Sequence, residues 1–138
     1  MPVPPMPFPM STELFVLGLS VVLLFVHISL QGMLATRERG STWNAGPRDG
    51  EAPPLGPLAG RAERASVNYR ETWPALIALA LGLAVTGQTG GIGAAGAVLW
   101  LAARLVYIPL YLFGVPYLRS LVWVVSALGL VLMLLRFF

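Results

Sequence analysis

Residues 61–85, RAERASVNYRETWPALIALALGLAV, decide the architecture of this chain. The second half, Trp73 to Val85, is apolar but only thirteen residues long. At ~1.5 Å per residue it cannot cross ~30 Å of hydrocarbon. The first half, Arg61 to Glu71, is polar yet contains no glycine or proline to stop a helix. One helix must therefore begin within the polar half and run on into the apolar half, carrying charged side chains to the edge of a membrane.

Working outward from this stretch, each flank reads as helices of membrane-spanning length. On the N-terminal side, Ala35 to Gly60 is rich in Gly, Pro, Arg and small polar residues, with PRDG and APPLGPLAG as turn signals, and forms the main extramembrane loop, 35–60. Before it an apolar block runs from Leu14 to Leu34, introduced by Ser11-Thr12-Glu13 as N-cap and first-turn acid. His27 and Gln31, one turn apart near its far end, read as helix-packing or hydrogen-bonding residues rather than ligands. The start, MPVPPMPFPM, carries no basic signal-peptide region and enough proline for an extended arm over 1–12, against which stands the simpler reading of a disordered end with no role. On the C-terminal side TGQTGG (86–91) is a tight turn, a third block covers 92–113, Gly114-Val-Pro-Tyr117 is a short connection, and a last span occupies 117–136. Residues 13–138 thus form a single domain, an all-α membrane protein built as a four-transmembrane-helix bundle with spans near 14–34, 61–85, 92–113 and 117–136.

Composition supports this reading. Of 138 residues 57% are hydrophobic and 11% charged, and the mean hydropathy of +0.76 excludes an ordinary soluble domain. All nine basic residues are arginine and the net charge is +3. Because these arginines lie between apolar blocks, they set membrane orientation and do not mark a nucleic-acid surface. Arg37, Arg39, Arg48, Arg61, Arg64, Arg70, Arg104 and Arg119 fall on one side and Arg136 alone on the other, which makes the large loop cytoplasmic and puts both termini outside. With no cysteine there is no disulfide and no thiolate metal site, and no metal is expected; any thiol chemistry must use a thiol brought by a substrate. Gly91-Ile-Gly-Ala-Ala-Gly96 matches GxGxxG, but a membrane helix precedes it where a dinucleotide site needs a strand, so these small residues read as a helix-packing seam.

The residues able to do chemistry gather on two helices. Arg64, Asn68 and Glu71, at i, i+4 and i+7, put a cation, an amide and a carboxylate on one helical stripe at the cytoplasmic edge. A zwitterionic peptide suits such a stripe: the guanidinium holds a carboxylate, Glu71 takes an ammonium, and Asn68 donates and accepts. The same spacing fits an interfacial ion-pair network with snorkelling arginines. Arg104, Tyr107 and Tyr111 repeat the pattern at i, i+3 and i+7, with Arg104 inside the hydrocarbon boundary and Glu71 as its expected partner. The tyrosines also fit an interfacial aromatic belt.

Arg61-x-x-Arg64-Ala-x-x-Asn68-x-x-Glu71-x-x-Pro74, with Ala103-Arg104-x-x-Tyr107-x-x-x-Tyr111, resembles the MAPEG proteins, the membrane-associated proteins in eicosanoid and glutathione metabolism. The resemblance runs from Leu14 to the C-terminus and is of the bacterial, microsomal glutathione transferase-like type. It implies a homotrimer in a bacterial inner membrane, with glutathione as co-substrate bound between subunits near the cytoplasmic leaflet. By motif position Arg64, Asn68, Glu71, Arg104, Tyr107 and Tyr111 would form the glutathione site, with Arg104 in a supporting role. Arg119 is the nearest match to the catalytic arginine that stabilises the glutathione thiolate. Two departures stand out: Thr72 replaces a tyrosine of the leukotriene-synthesising members, and the spacing from Tyr111 to Arg119 is one residue shorter than in the transferases. The implied activity is a transferase or peroxidase acting on apolar electrophiles from the bilayer. The alternative is a non-catalytic member that binds lipid or joins a larger membrane complex through the N-terminal arm. A channel or transporter fits less well, since the chain shows no internal repeat.

Overall fold

The computed structural model of the chain describes residues 1–2 and 8–138; the centre of the proline-rich arm expected over 1–12, residues 3–7, lies outside the described residues. The chain forms α1 (Thr12–Arg39), the short α2 (Ser41–Ala45), α3 (Pro57–Val85), α4 (Gly91–Leu112) and α5 (Leu118–Leu135), and there is no strand among the described residues. As the sequence predicts, α3 runs unbroken from its polar half into its apolar half. It starts four residues earlier than Arg61, with Gly56 as N-cap and Pro57 in the first turn, where the missing N–H costs no hydrogen bond.

The Ser11 side chain accepts the N–H of Leu14 at 3.2 Å and so caps α1. This helix extends five residues beyond Leu34, because Ala35 to Arg39 contains no breaker and Arg37 and Arg39 complement the dipole of its last turn. It ends at Gly40, whose φ of 88° suits glycine. The loop expected over 35–60 is thereby shortened to 40–56 and contains α2. Asn44 Nδ2 donates to Thr36 Oγ1 at 2.7 Å and Arg39 Nε to the carbonyl of Pro53 at 2.8 Å, which folds the loop back on α1.

By length and composition α1, α4 and α5 are each able to cross a membrane, while the polar start of α3 sets it apart. The closest pairings are α1 with α3 and α4 with α5; α4 also contacts α1 and α3, whereas α3 and α5 meet only slightly. Between them lies a core of Val16 and Leu23 from α1, Leu76, Ala80 and Leu83 from α3, Ala97 and Trp100 from α4, and Met133 from α5. Large apolar side chains, among them Phe15, Phe25, Leu105, Leu121 and Val131, point outward, as they would toward lipid. The seam expected from the glycine-rich run is present: a Cβ on Gly129 would stand 2.8 Å from the backbone nitrogen of Trp100, so only glycine lets α4 and α5 approach this closely.

The two ends of the bundle differ. At one end lie the 40–56 loop and the α4–α5 connection, where Arg61 reaches the carbonyl of Leu112. The start of α1, the 86–90 turn and the end of α5 share the other, where Glu13 Oε1 accepts the N–H of Gly90 at 2.7 Å and Arg136 Nε donates to the carbonyl of Gln88 at 3.0 Å.

Candidate functional site

The helical spacing of Arg64, Asn68 and Glu71 sets them along one face of α3. Packing then turns that face toward Tyr107 and Tyr111 on α4 and Arg119 in the first turn of α5. These six side chains line one cleft of about 660 Å³, within the ~300–1,000 Å³ range of small-molecule sites. Its walls are α3 and α5, and α4 forms its floor. A second groove between α1 and α4, about 160 Å³, is lined by Leu19, Val22, Leu23, Val26, Leu101 and Leu105 and offers no polar side chain for chemistry.

Arg104 does not line the cleft but lies behind it, fully buried. Its Nη1 donates to Asn68 Oδ1 at 2.9 Å, and its guanidinium carbon stands 4.6 Å from the centre of the Tyr107 ring and 5.5 Å from that of Tyr69. The partner expected from the sequence was Glu71, and the structure corrects this. Glu71 lies almost a turn further along α3 and stays exposed, while Asn68 is the member of the stripe within reach of the guanidinium. Among the described residues Arg104 Nε and Nη2 have no hydrogen-bond partner, so ring faces take the place of a carboxylate beside this charge. A guanidinium only donates, so Asn68 must turn its oxygen to Arg104, which leaves its NH2 as the donor available to the cleft.

Arg119 is half-buried, with its guanidinium carbon 4.6 Å from the centre of the Tyr111 ring; the Tyr111 ring is itself 5.4 Å from that of Tyr107. Each tyrosine of the cleft is thus paired with an arginine: Tyr107 with Arg104 buried behind it, and Tyr111 with Arg119 at the cleft itself. The cation at the start of α5 is oriented by the aromatic face beneath it.

Sequence reasoning did not single out Glu63, Ser120 or Trp123, which also line the cleft. The signal was available: Glu63, Val67 and Glu71 repeat every four residues, as do Arg119 and Trp123. Val67, Trp123 and Val124 give the cleft an apolar side next to its charged one. Thr72 turns away from it and donates its hydroxyl to the carbonyl of Tyr69 at 3.4 Å. His27 has the packing role expected of it, buried with its ring centre 4.7 Å from that of Tyr69. Beside this pair the Tyr69 hydroxyl donates to the Ser20 carbonyl and Trp73 Nε1 to Ser20 Oγ at 2.9 Å, a polar tie between α1 and α3. Among the described residues no group of acidic or histidine side chains could hold a metal ion.

A cleft with arginines at two places, a carboxylate, an amide donor and an apolar flank is suited to a small zwitterion that shares its site with an apolar molecule. The family model of the MAPEG family matches residues 14–138, and the chain belongs to this family, as an integral membrane protein. No curated protein and no solved structure matches it.

Proposed function

We propose that this MAPEG-family chain is a glutathione-dependent membrane transferase or peroxidase that conjugates or reduces apolar electrophiles drawn from the bilayer. The observation that carries the reading is the single cleft in which Arg64, Asn68, Glu71, Tyr107, Tyr111 and Arg119 converge on an apolar wall. In this reading α3 is the fourth span, the protein is a homotrimer in a bacterial inner membrane, the 40–56 loop is cytoplasmic and both termini are outside. Buried polar groups and small-residue faces would be better satisfied in an assembly than in a lone protomer.

Each group has a role set by its chemistry. Arg64 offers a bidentate grip to a glutathione carboxylate, Glu71 accepts an ammonium, and Asn68, held by Arg104, donates its NH2 to a carbonyl or carboxylate oxygen. The Arg119 guanidinium lowers the pKa of the bound thiol, since a nearby cation favours the thiolate. The thiol proton leaves to solvent. In conjugation the sulfur bonds to the electrophilic carbon as the leaving group departs with the bond's electron pair. In peroxide reduction the sulfur takes one oxygen as the alcohol leaves, after which a second glutathione thiol displaces water from that sulfenic acid to give the disulfide. Val67, Trp123 and Val124 would hold the apolar substrate against that sulfur, and this positioning supplies much of the acceleration.

Titration of the purified protein with glutathione, followed by thiolate absorbance, tests the reading. Wild type should give a saturable thiolate signal at neutral pH. Arg119→Leu should raise the pKa of the bound thiol and depress turnover at neutral pH, with part of the loss recovered at higher pH as the thiol ionises unaided. Binding without a thiolate would favour a non-catalytic, lipid-holding or accessory role instead.

A further inference from the structure

The α4–α5 connection decides where Arg119 stands, and it is held by a side chain outside the cleft. Arg61, one turn before Arg64 on α3, donates Nη1 to the carbonyl of Leu112, the last residue of α4, at 3.2 Å. The guanidinium also rests on the bare backbone of Gly114, where an added Cβ would come within 2.7 Å of its central carbon. A cation at this point complements the C-terminal end of the α4 dipole. Three residues on, Tyr117 adopts φ 55°, ψ −57°, and the N–H of Leu118 donates to the carbonyl of Pro116, which makes a tight γ-turn rarely adopted by a residue with a side chain. The Tyr117 side chain is exposed, so no core contact of its own holds this turn. α5 begins at the next residue, and Arg119 follows at once.

The wider packing shows why this matters. α3 carries the groups proposed to grip the tripeptide, and α5 carries the cation proposed to face its sulfur. These two helices meet only slightly, so their spacing at the mouth of the cleft is not set by a shared core. Arg61 is a side chain of α3 that hydrogen-bonds the connection leading into α5. It also lies on the same helix as Arg64, three residues away, so one rigid element bears both the grip and the anchor.

We propose that Arg61 is a positioning residue: by fastening the Leu112–Gly114 corner to α3, it sets the distance between the tripeptide grip and the Arg119 guanidinium. This rests on the reading of Arg119 as the thiolate's cation. It also explains how the short Tyr111-to-Arg119 spacing is accommodated, with the γ-turn at Tyr117 taking up the sharp change of direction while Arg61 holds the segment before it.

The test follows the pKa of the bound glutathione thiol, by absorbance titration, in wild type, Arg61→Met, Arg61→Lys and Gly114→Ala, with Arg119→Leu as reference. Arg61→Met should raise that pKa by about one unit, a roughly tenfold loss of thiolate at pH values below it, with glutathione affinity changed by less than about threefold. Gly114→Ala keeps the charge but disturbs the corner twice, by placing a Cβ on backbone at φ 69° and by displacing the guanidinium, and should raise the pKa in the same direction. Arg61→Lys keeps one donor for Leu112 and should recover part of the loss. If Arg61→Met fails to fold, Arg61→Leu, which likewise has no donor for Leu112, takes its place with the same expectation. An unmoved pKa in the folded neutral variant, beside a raised one in Arg119→Leu, overturns the proposal. So does a rise that lysine abolishes entirely and Gly114→Ala does not share, since Arg61 would then act as a bare charge. Absence of any thiolate in wild type sinks the glutathione reading, and this inference with it.

Discussion

Both ends of the bundle tie arginines to backbone carbonyls, but only one of them also leaves charged groups open to a cleft. At the end closed by the 86–90 turn, Glu13 is fully buried and its carboxylate caps α4 through the N–H of Gly90, in place of a side-chain cap that glycine cannot supply. Arg136 there is likewise turned onto a backbone carbonyl. At the other end Arg64 and Glu71 are exposed, Arg119 is half-buried, and their hydrogen-bonding capacity faces a cleft. Polar groups consumed by the chain's own backbone hold a fold together, whereas those left open toward a shared cavity are available to a ligand. The same residue types, arginine and glutamate, serve both purposes, so residue type alone does not separate them.

Three measurements would break or sharpen this contrast. The largest effect concerns the ends themselves. Asp49→Cys in the 40–56 loop and Thr89→Cys in the 86–90 turn, each the only cysteine of its chain, should be labelled by an impermeant reagent from opposite faces of the membrane, the first from the cytoplasm. Labelling of both from one face would remove the assignment of the two ends to opposite sides.

At the closed end, Glu13→Leu should lower stability by about 3 kcal/mol, because a charge-assisted bond is lost and the N–H of Gly90 is left without its acceptor. Unfolding in detergent would report this, and glutathione affinity per folded protein should not change. Glu13→Gln retains an acceptor oxygen and should keep most of the stability. A loss of affinity in either variant would mean that the ends are coupled.

The smallest effect on the fold is expected at the open end. Arg64→Ala should cost ~1.5–3 kcal/mol of glutathione binding, about ten- to a hundredfold in affinity, while stability moves by less than ~0.5 kcal/mol, as for an exposed side chain. A destabilised assembly with unchanged affinity would assign the α3 stripe to a structural ion-pair network.

Several of these features were legible in the sequence because they depend on one helix at a time. Periodicity alone puts Arg64, Asn68 and Glu71 on one face and Tyr107 and Tyr111 on another, and the length of Trp73 to Val85 requires α3 to begin in polar sequence. Glycine and alanine density in 91–97 announces a close helix contact without saying with which helix. Relations between helices were not legible, since they depend on rotation and depth of packing. The close approach at Gly96 and Gly129 brings α5 against α4 and carries Arg119 to the ring of Tyr111. Asn68, not Glu71, became the partner of Arg104 because the depth of α4 beside α3 leaves Glu71 facing the cleft. Glu13 reads in sequence as a first-turn acid for its own helix, yet it caps another one, because only the assembled bundle brings residue 13 next to residue 90. The sequence by itself therefore determined which side chains share a helical face, which helical periodicity dictates. Tertiary structure alone decided which faces meet and which polar groups stay free, because those follow from close packing and backbone capping between segments far apart in the chain.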